Sequence, residues 1–175
     1  MLDGHAALLS KEIEKAMRTT FADLCKSGEH FYYCTLVTSG DGGSPCFSAW
    51  SKEALESIGA ENKETLKWAK WSYADSPYCL HGEENWKKVR DMWLERPHIH
   101  SLSDEDYYEE IATRIKIMVL AMRSLDREGL FELNQKREDI VINVEFMPPD
   151  KSNTERAYML NPPNAIRDWL IEAAE

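Results

Sequence analysis

Three groups of residues have types and spacings that could do chemistry. His98 and His100, two positions apart, would point the same way from an extended segment, with His81 and nearby acids as candidate third metal ligands. Catalytic zinc takes three protein ligands and keeps a fourth position open, and no spacing here fixes the third. Cys79 stands two residues from His81. A cysteine nucleophile, however, needs a base beside it in space and a lowered pKa, and adjacency in sequence supplies neither. Asp104, Glu105 and Asp106, with Glu109 and Glu110, form the densest acid cluster. No two carboxylates share an apolar setting that would separate their pKa values for acid–base work, so the cluster reads as a helix cap or as a docking patch for a basic partner.

The remaining candidate surface is aromatic. Four of the six tryptophans, Trp68, Trp71, Trp86 and Trp93, fall within one stretch of 26 residues that also holds Tyr73, Asp75 and Tyr78. Tryptophan buries a large apolar area and keeps an N–H that needs a partner, which places it in cores with a polar edge and in interface hot spots. Trp86 and Trp93 share a helix face with Val89 and, like Trp50, are expected in the core. Trp68 and Trp71, beside Lys67 and Lys70, are candidates for an exposed anchor, and Ser72 to Gly82 for a recognition loop or a lid.

The elements that would position these groups follow from periodicity. Ile13, Met17, Phe21 and Leu24 recur at helical spacing from Ser10 to about Lys26. Phe31–Thr38 and Cys46–Trp50 flank the turn run SGDGGS and predict a hairpin. That glycine-rich run lies between two strands rather than between a strand and a helix, so it is not a dinucleotide or P-loop phosphate cradle. Short helices are expected from Ser51 to Gly59, from Lys63 to Trp71 and from Glu83 to Leu94. Ser103, followed by three acids, caps a long central helix whose apolar stripe runs through Ile111, Ile115, Met118, Met122 and Leu125 to Gly129. Its outer face is expected to carry Glu109, Glu110, Arg114, Lys116 and Arg123. Asp139–Phe146 alternates with period two as a half-buried strand, Tyr158–Leu160 reads as a further short strand, and a last helix holds Ile166, Trp169, Leu170 and Ala173.

These elements predict an α+β fold: an antiparallel or mixed sheet of about four or five strands, packed against a long central helix and several shorter helices. The chain of 175 residues reads as a single globular domain over residues 1–175. With 31 acidic and 21 basic residues its net charge is -10. A negative surface disfavours nucleic acid and anionic membrane and favours a basic protein partner. Cys25, Cys34, Cys46 and Cys79 form no CxxC pair and are expected as reduced, buried thiols. No apolar run approaches the ~18 residues that span a bilayer, and a cytoplasmic location is expected. No motif asks for a cofactor.

Several segments together resemble the bacterial family known as domain of unknown function 4303. They are Phe31–Val37 with its glycine-rich turn and the run ending at Trp50, WSYAD from Trp71, the run from Leu125 through Asp126, Gly129 and Phe131 to Arg137 and Ile140, and the closing Leu160, Asn161 and Pro162. The family supplies no catalytic residues. Some of its members are similar to genes beside toxin loci, which implies a non-enzymatic, immunity-type protein that binds and neutralises a basic toxin domain. The candidate contact residues are Trp68, Trp71, Tyr73, Asp75, Tyr78, Asp104, Glu105, Asp106, Glu109 and Glu110. A small-molecule-binding regulatory domain and a small metal-assisted hydrolase using His98 and His100 are the alternatives.

Overall fold

A computed structural model describes residues 3–61 and 63–175. The first helix, α1 (Gly4–Cys25), begins six residues earlier than its apolar stripe suggests, because Asp3 caps it by accepting the Ala6 N–H at 2.7 Å. Strands β1 (Phe31–Ser39) and β2 (Cys46–Ser51) form the expected antiparallel hairpin, and β3 (Val141–Met147) joins the other side of β1 in parallel. The sheet has three strands among the described residues, in the order β2-β1-β3, and not four or five.

Helices lie on both faces of this sheet. On one face α1 and the long α5 (Asp104–Arg127) pack Ile13, Met17, Phe21, Met118, Met122 and Leu125 against Cys34, Leu36, Phe47, Ile142 and Val144. Trp86, just before α4 (Lys87–Leu94), and Trp93, on it, complete that layer as expected. On the other face α2 (Lys52–Glu61), α3 (Lys63–Ala69) and α7 (Arg167–Glu172) cover Tyr33, Trp50 and Val141 with Ala69, Ile166 and Trp169. β3 is therefore buried on both faces from Val141 to Glu145, rather than half buried.

The missing strands are replaced by side chains. Tyr158–Leu160 is the last turn of α6 (Lys151–Leu160), not a strand. From α6 and just beyond it, Asn153 bonds both backbone groups of Phe146, Arg156 donates to the Val144 carbonyl, and Asn161 bonds both groups of Ile142. These side chains satisfy the outer edge of β3 as another strand would. The tryptophan-rich loop covers the opposite edge: Leu80 N–H donates to the Phe47 carbonyl at 2.9 Å, and the Ser76 hydroxyl donates to that of Ala49. An exposed strand edge is a template for aggregation, and here both edges are closed.

Candidate functional site

α5 presents the acid cluster as its sequence suggests, with one exception. Ser103 accepts the Asp106 N–H at 3.2 Å and caps the helix, leaving Asp104, Glu105, Asp106 and Glu109 exposed in its first turns. Glu110 is buried instead. Its two carboxylate oxygens receive Nε and Nη2 of Arg96 at 2.7 and 2.6 Å, and Oε1 also receives Nε of Arg114 at 2.7 Å. Burial alone would raise the Glu110 carboxyl, but hydrogen bonds and charge from Arg96 and Arg114 outweigh it and hold the group below the ordinary glutamate value. Arg114, also expected on the outer face, is buried with it, and its Nη1 and Nη2 donate to the carbonyls of Gly42 and Pro97.

Beside the acid cluster an apolar groove of about 480 Å³ runs between α5 and α6. Tyr108, Ile111, Ala112, Ile115, Val119 and Met159 line it. Tyr108 is 70% exposed, with the exposed Glu105 and Glu109 near it in the chain, while Glu155 and Arg156 lie on the opposite bank and Lys116 lines the groove from α5.

The aromatic candidates separate. Trp68 on α3 is 78% exposed, with Lys67 Nζ 5.9 Å from its ring centroid. Trp71 is half-buried: it meets Tyr32 and Tyr33 edge-on and donates its indole N–H to Glu172 at 2.7 Å, holding α7 to the sheet. The Tyr73 carbonyl accepts the Ser48 hydroxyl at 2.7 Å, and Tyr78 packs edge-on against Phe31 while its hydroxyl bonds Glu29. Burial, with help from the Glu29 hydrogen bond, pushes the Tyr78 phenol up to about 12. These two tyrosines fix the loop to the sheet, and Asp75 is exposed at its tip.

The chemistry-bearing pairs do not assemble into a metal or nucleophile site. His98 and His100 are exposed with ring centroids 5.6 Å apart, and among the described residues no three His, Cys, Asp or Glu side chains are grouped to hold a metal. His81 pairs with Asp23 at 3.2 Å, and Cys79 faces Cys46 instead of His81. Cys34 is buried, whereas Cys25, Cys46 and Cys79 are only partly so.

The family model for a domain of unknown function, DUF4303, matches residues 13–162. The chain belongs to this family. Neither the curated proteins nor the solved structures give a match. The segments that resemble DUF4303 have structural work in this fold. Arg137 pairs with Asp126 and donates to the Ile140 and Leu160 carbonyls and to Asn161 Oδ1, clasping the start of β3 to the ends of α5 and α6. In WSYAD, the Ser72 carbonyl accepts the Trp50 indole N–H at 2.7 Å.

Sequence reasoning missed the Arg96–Glu110–Arg114 cluster. The four-residue spacing of Glu110 and Arg114 was its visible signal, but the same spacing serves exposed helix pairs equally well.

Proposed function

We propose that this chain is a non-enzymatic, cytoplasmic protein-binding domain of the immunity type, which occludes a basic toxin domain. The observation that carries the reading is the contiguity of the exposed α5 acids with the apolar groove around Tyr108. An apolar centre with a charged rim is how protein interfaces combine holding power with steering: buried anchors slow dissociation and complementary charge speeds encounter. The net charge of -10 fits a cationic partner. The occupant is therefore a basic segment of a protein that inserts apolar side chains between α5 and α6. Some members of the family are similar to genes found beside toxin loci, which supports a toxin as that protein.

The test is to tag the full chain in its native host, re-express the protein recovered with it at equal stoichiometry, and measure binding directly. Glu105→Lys/Glu109→Lys and Tyr108→Ala leave the Ser103–Asp106 cap intact. The reading expects a basic partner, salt-sensitive association, a slower on-rate for the charge variant and a faster off-rate for Tyr108→Ala. A partner bound equally by all three proteins would overturn it.

A further inference from the structure

A second concavity, of about 340 Å³, opens beyond the carboxyl end of β1, where the turn after that strand meets the segment between α4 and α5. Its lining includes Arg90, Arg96, His98, His100 and Arg114, with Asp41 as the acid among them. In a chain of net charge -10 this concentrates basic groups in one place. The floor is itself out of balance: two buried guanidiniums, Arg96 and Arg114, share the one buried carboxylate of Glu110. Among the described residues the other acid paired with them is Asp3, which is exposed and 3.4 Å from Arg96. Solvent screens the exposed Asp3 more than the buried Glu110, and an anion in the adjoining space would be attracted by the same two guanidiniums.

The walls are fixed in advance. The Trp93 indole N–H and Arg114 both donate to the Gly42 carbonyl. Gly42 has φ +73°, and a Cβ there would come within 2.7 Å of Ile99 and 2.8 Å of Arg114 Nη1. Each guanidinium nitrogen of Arg96 and Arg114 already donates one hydrogen bond to the protein, so these two groups are fixed in place and act on a ligand chiefly through their field. Contacts are left to groups at the rim. Among the described residues the rings of His98 and His100 make no hydrogen bond, and Arg90 donates through Nη1 to the Glu83 carbonyl at 3.0 Å, with the Glu83 carboxylate 3.9 Å from the same nitrogen, which leaves its Nε and Nη2 for a ligand.

We propose that this pocket binds the phosphate or carboxylate group of a small anionic ligand, with His98, His100 and Arg90 as its direct donors. Unlike a P-loop, the site would use side chains over a buried cationic floor.

Isothermal calorimetry of the full chain in low salt, titrated separately with inorganic phosphate and with citrate, tests this without any protein partner. The expectation is saturable single-site binding of at least one of them, weakened about tenfold or more in Arg90→Gln/His98→Gln/His100→Gln. All three side chains are exposed or half-exposed, so the variant should keep the wild-type far-ultraviolet circular dichroism. Binding of phosphate alone or citrate alone would identify the group recognised. No saturable binding of either, or equal affinity in the folded variant, would overturn the proposal.

Discussion

The side-chain amide of Asn161 pairs with both backbone groups of Ile142, accepting its N–H at 2.8 Å and donating to its carbonyl at 2.7 Å. One side chain thus makes the two bonds that a neighbouring strand would make at that position. Arg137 donates to the same Asn161 oxygen at 3.1 Å, which fixes the orientation of the amide. Replacing Asn161 with alanine would leave the Ile142 donor and acceptor without their partners. The expected loss is about 2–3 kcal/mol, seen as a lower urea midpoint at unchanged slope. A loss under about 0.5 kcal/mol would show that the edge is satisfied some other way.

This pairing also marks where the sequence stops being readable. The stripes of α1 and α5 and the apolar runs of β1 and β2 are periodic, so their existence and mutual packing can be read directly. A side chain that stands in for a strand leaves no period. Asn153, Arg156 and Asn161 occur in a polar stretch with β-forming Tyr158 beside them, and tertiary pairing with β3 makes that stretch a helix. The acid cluster of α5 was legible for the same reason as its cap, since Ser103 and the acids after it follow a local rule. Glu110 was not, because a charge on a helix reads as solvent-facing until its partner is known, and Arg96 reaches it from the loop after α4. The basic pocket arises from segments that meet only in the fold.

The Sγ atoms of Cys46 and Cys79 are 3.9 Å apart, across the seam between β2 and the tryptophan-rich loop. Diamide should convert this pair into a disulfide with loss of one hydrogen from each thiol, the azo compound accepting both. Buried Cys34 should stay reduced. Burial and the neighbouring Cys79 push the Cys46 thiol up to about 12, so oxidation should accelerate as pH rises. A link across 33 positions constrains the unfolded chain by up to about 4 kcal/mol. Peptide mapping should find Cys46 joined to Cys79, and Cys46→Ser should abolish the gain in melting temperature. A different pairing in the mapped product would refute the assignment.

The tryptophans should divide by environment rather than by neighbourhood in sequence. Trp68→Ala removes a ring that is 78% exposed and should change stability by less than about 0.5 kcal/mol. Trp93→Ala removes a buried ring, its bond to the Gly42 carbonyl and its stacking on Arg114, and should cost about 3–5 kcal/mol. Chemical denaturation of the two variants side by side checks the contrast. If Trp68→Ala proves as damaging as Trp93→Ala, Trp68 packs in the folded protein and cannot serve as a free anchor.

Two buried carboxyls should give the stability of this protein opposite responses to pH. Glu145 lies under the Tyr33 hydroxyl on the second face of the sheet, and burial raises its pKa above the ordinary 4.5, against the hydrogen bonds from Tyr33 and Thr35. A raised folded-state value means that the folded protein holds the proton more tightly. That contribution is complete below 4.5 and is lost as pH rises through the folded value. Glu110 is lowered by Arg96 and Arg114, so its contribution is present above 4.5 and disappears as pH falls through its lower folded value. Glu145→Gln keeps an acceptor for Tyr33 without the charge. It should therefore be more stable than wild type at pH 8 by about 1–3 kcal/mol, with the difference closing near pH 4. Glu110→Gln leaves two guanidiniums without their carboxylate and should be destabilised at neutral pH by about 3–5 kcal/mol, less so in acid. Urea denaturation of the three proteins from pH 3 to pH 8 separates the two signs. A Glu145→Gln curve parallel to wild type across that range would mean that Glu145 titrates as an ordinary glutamate.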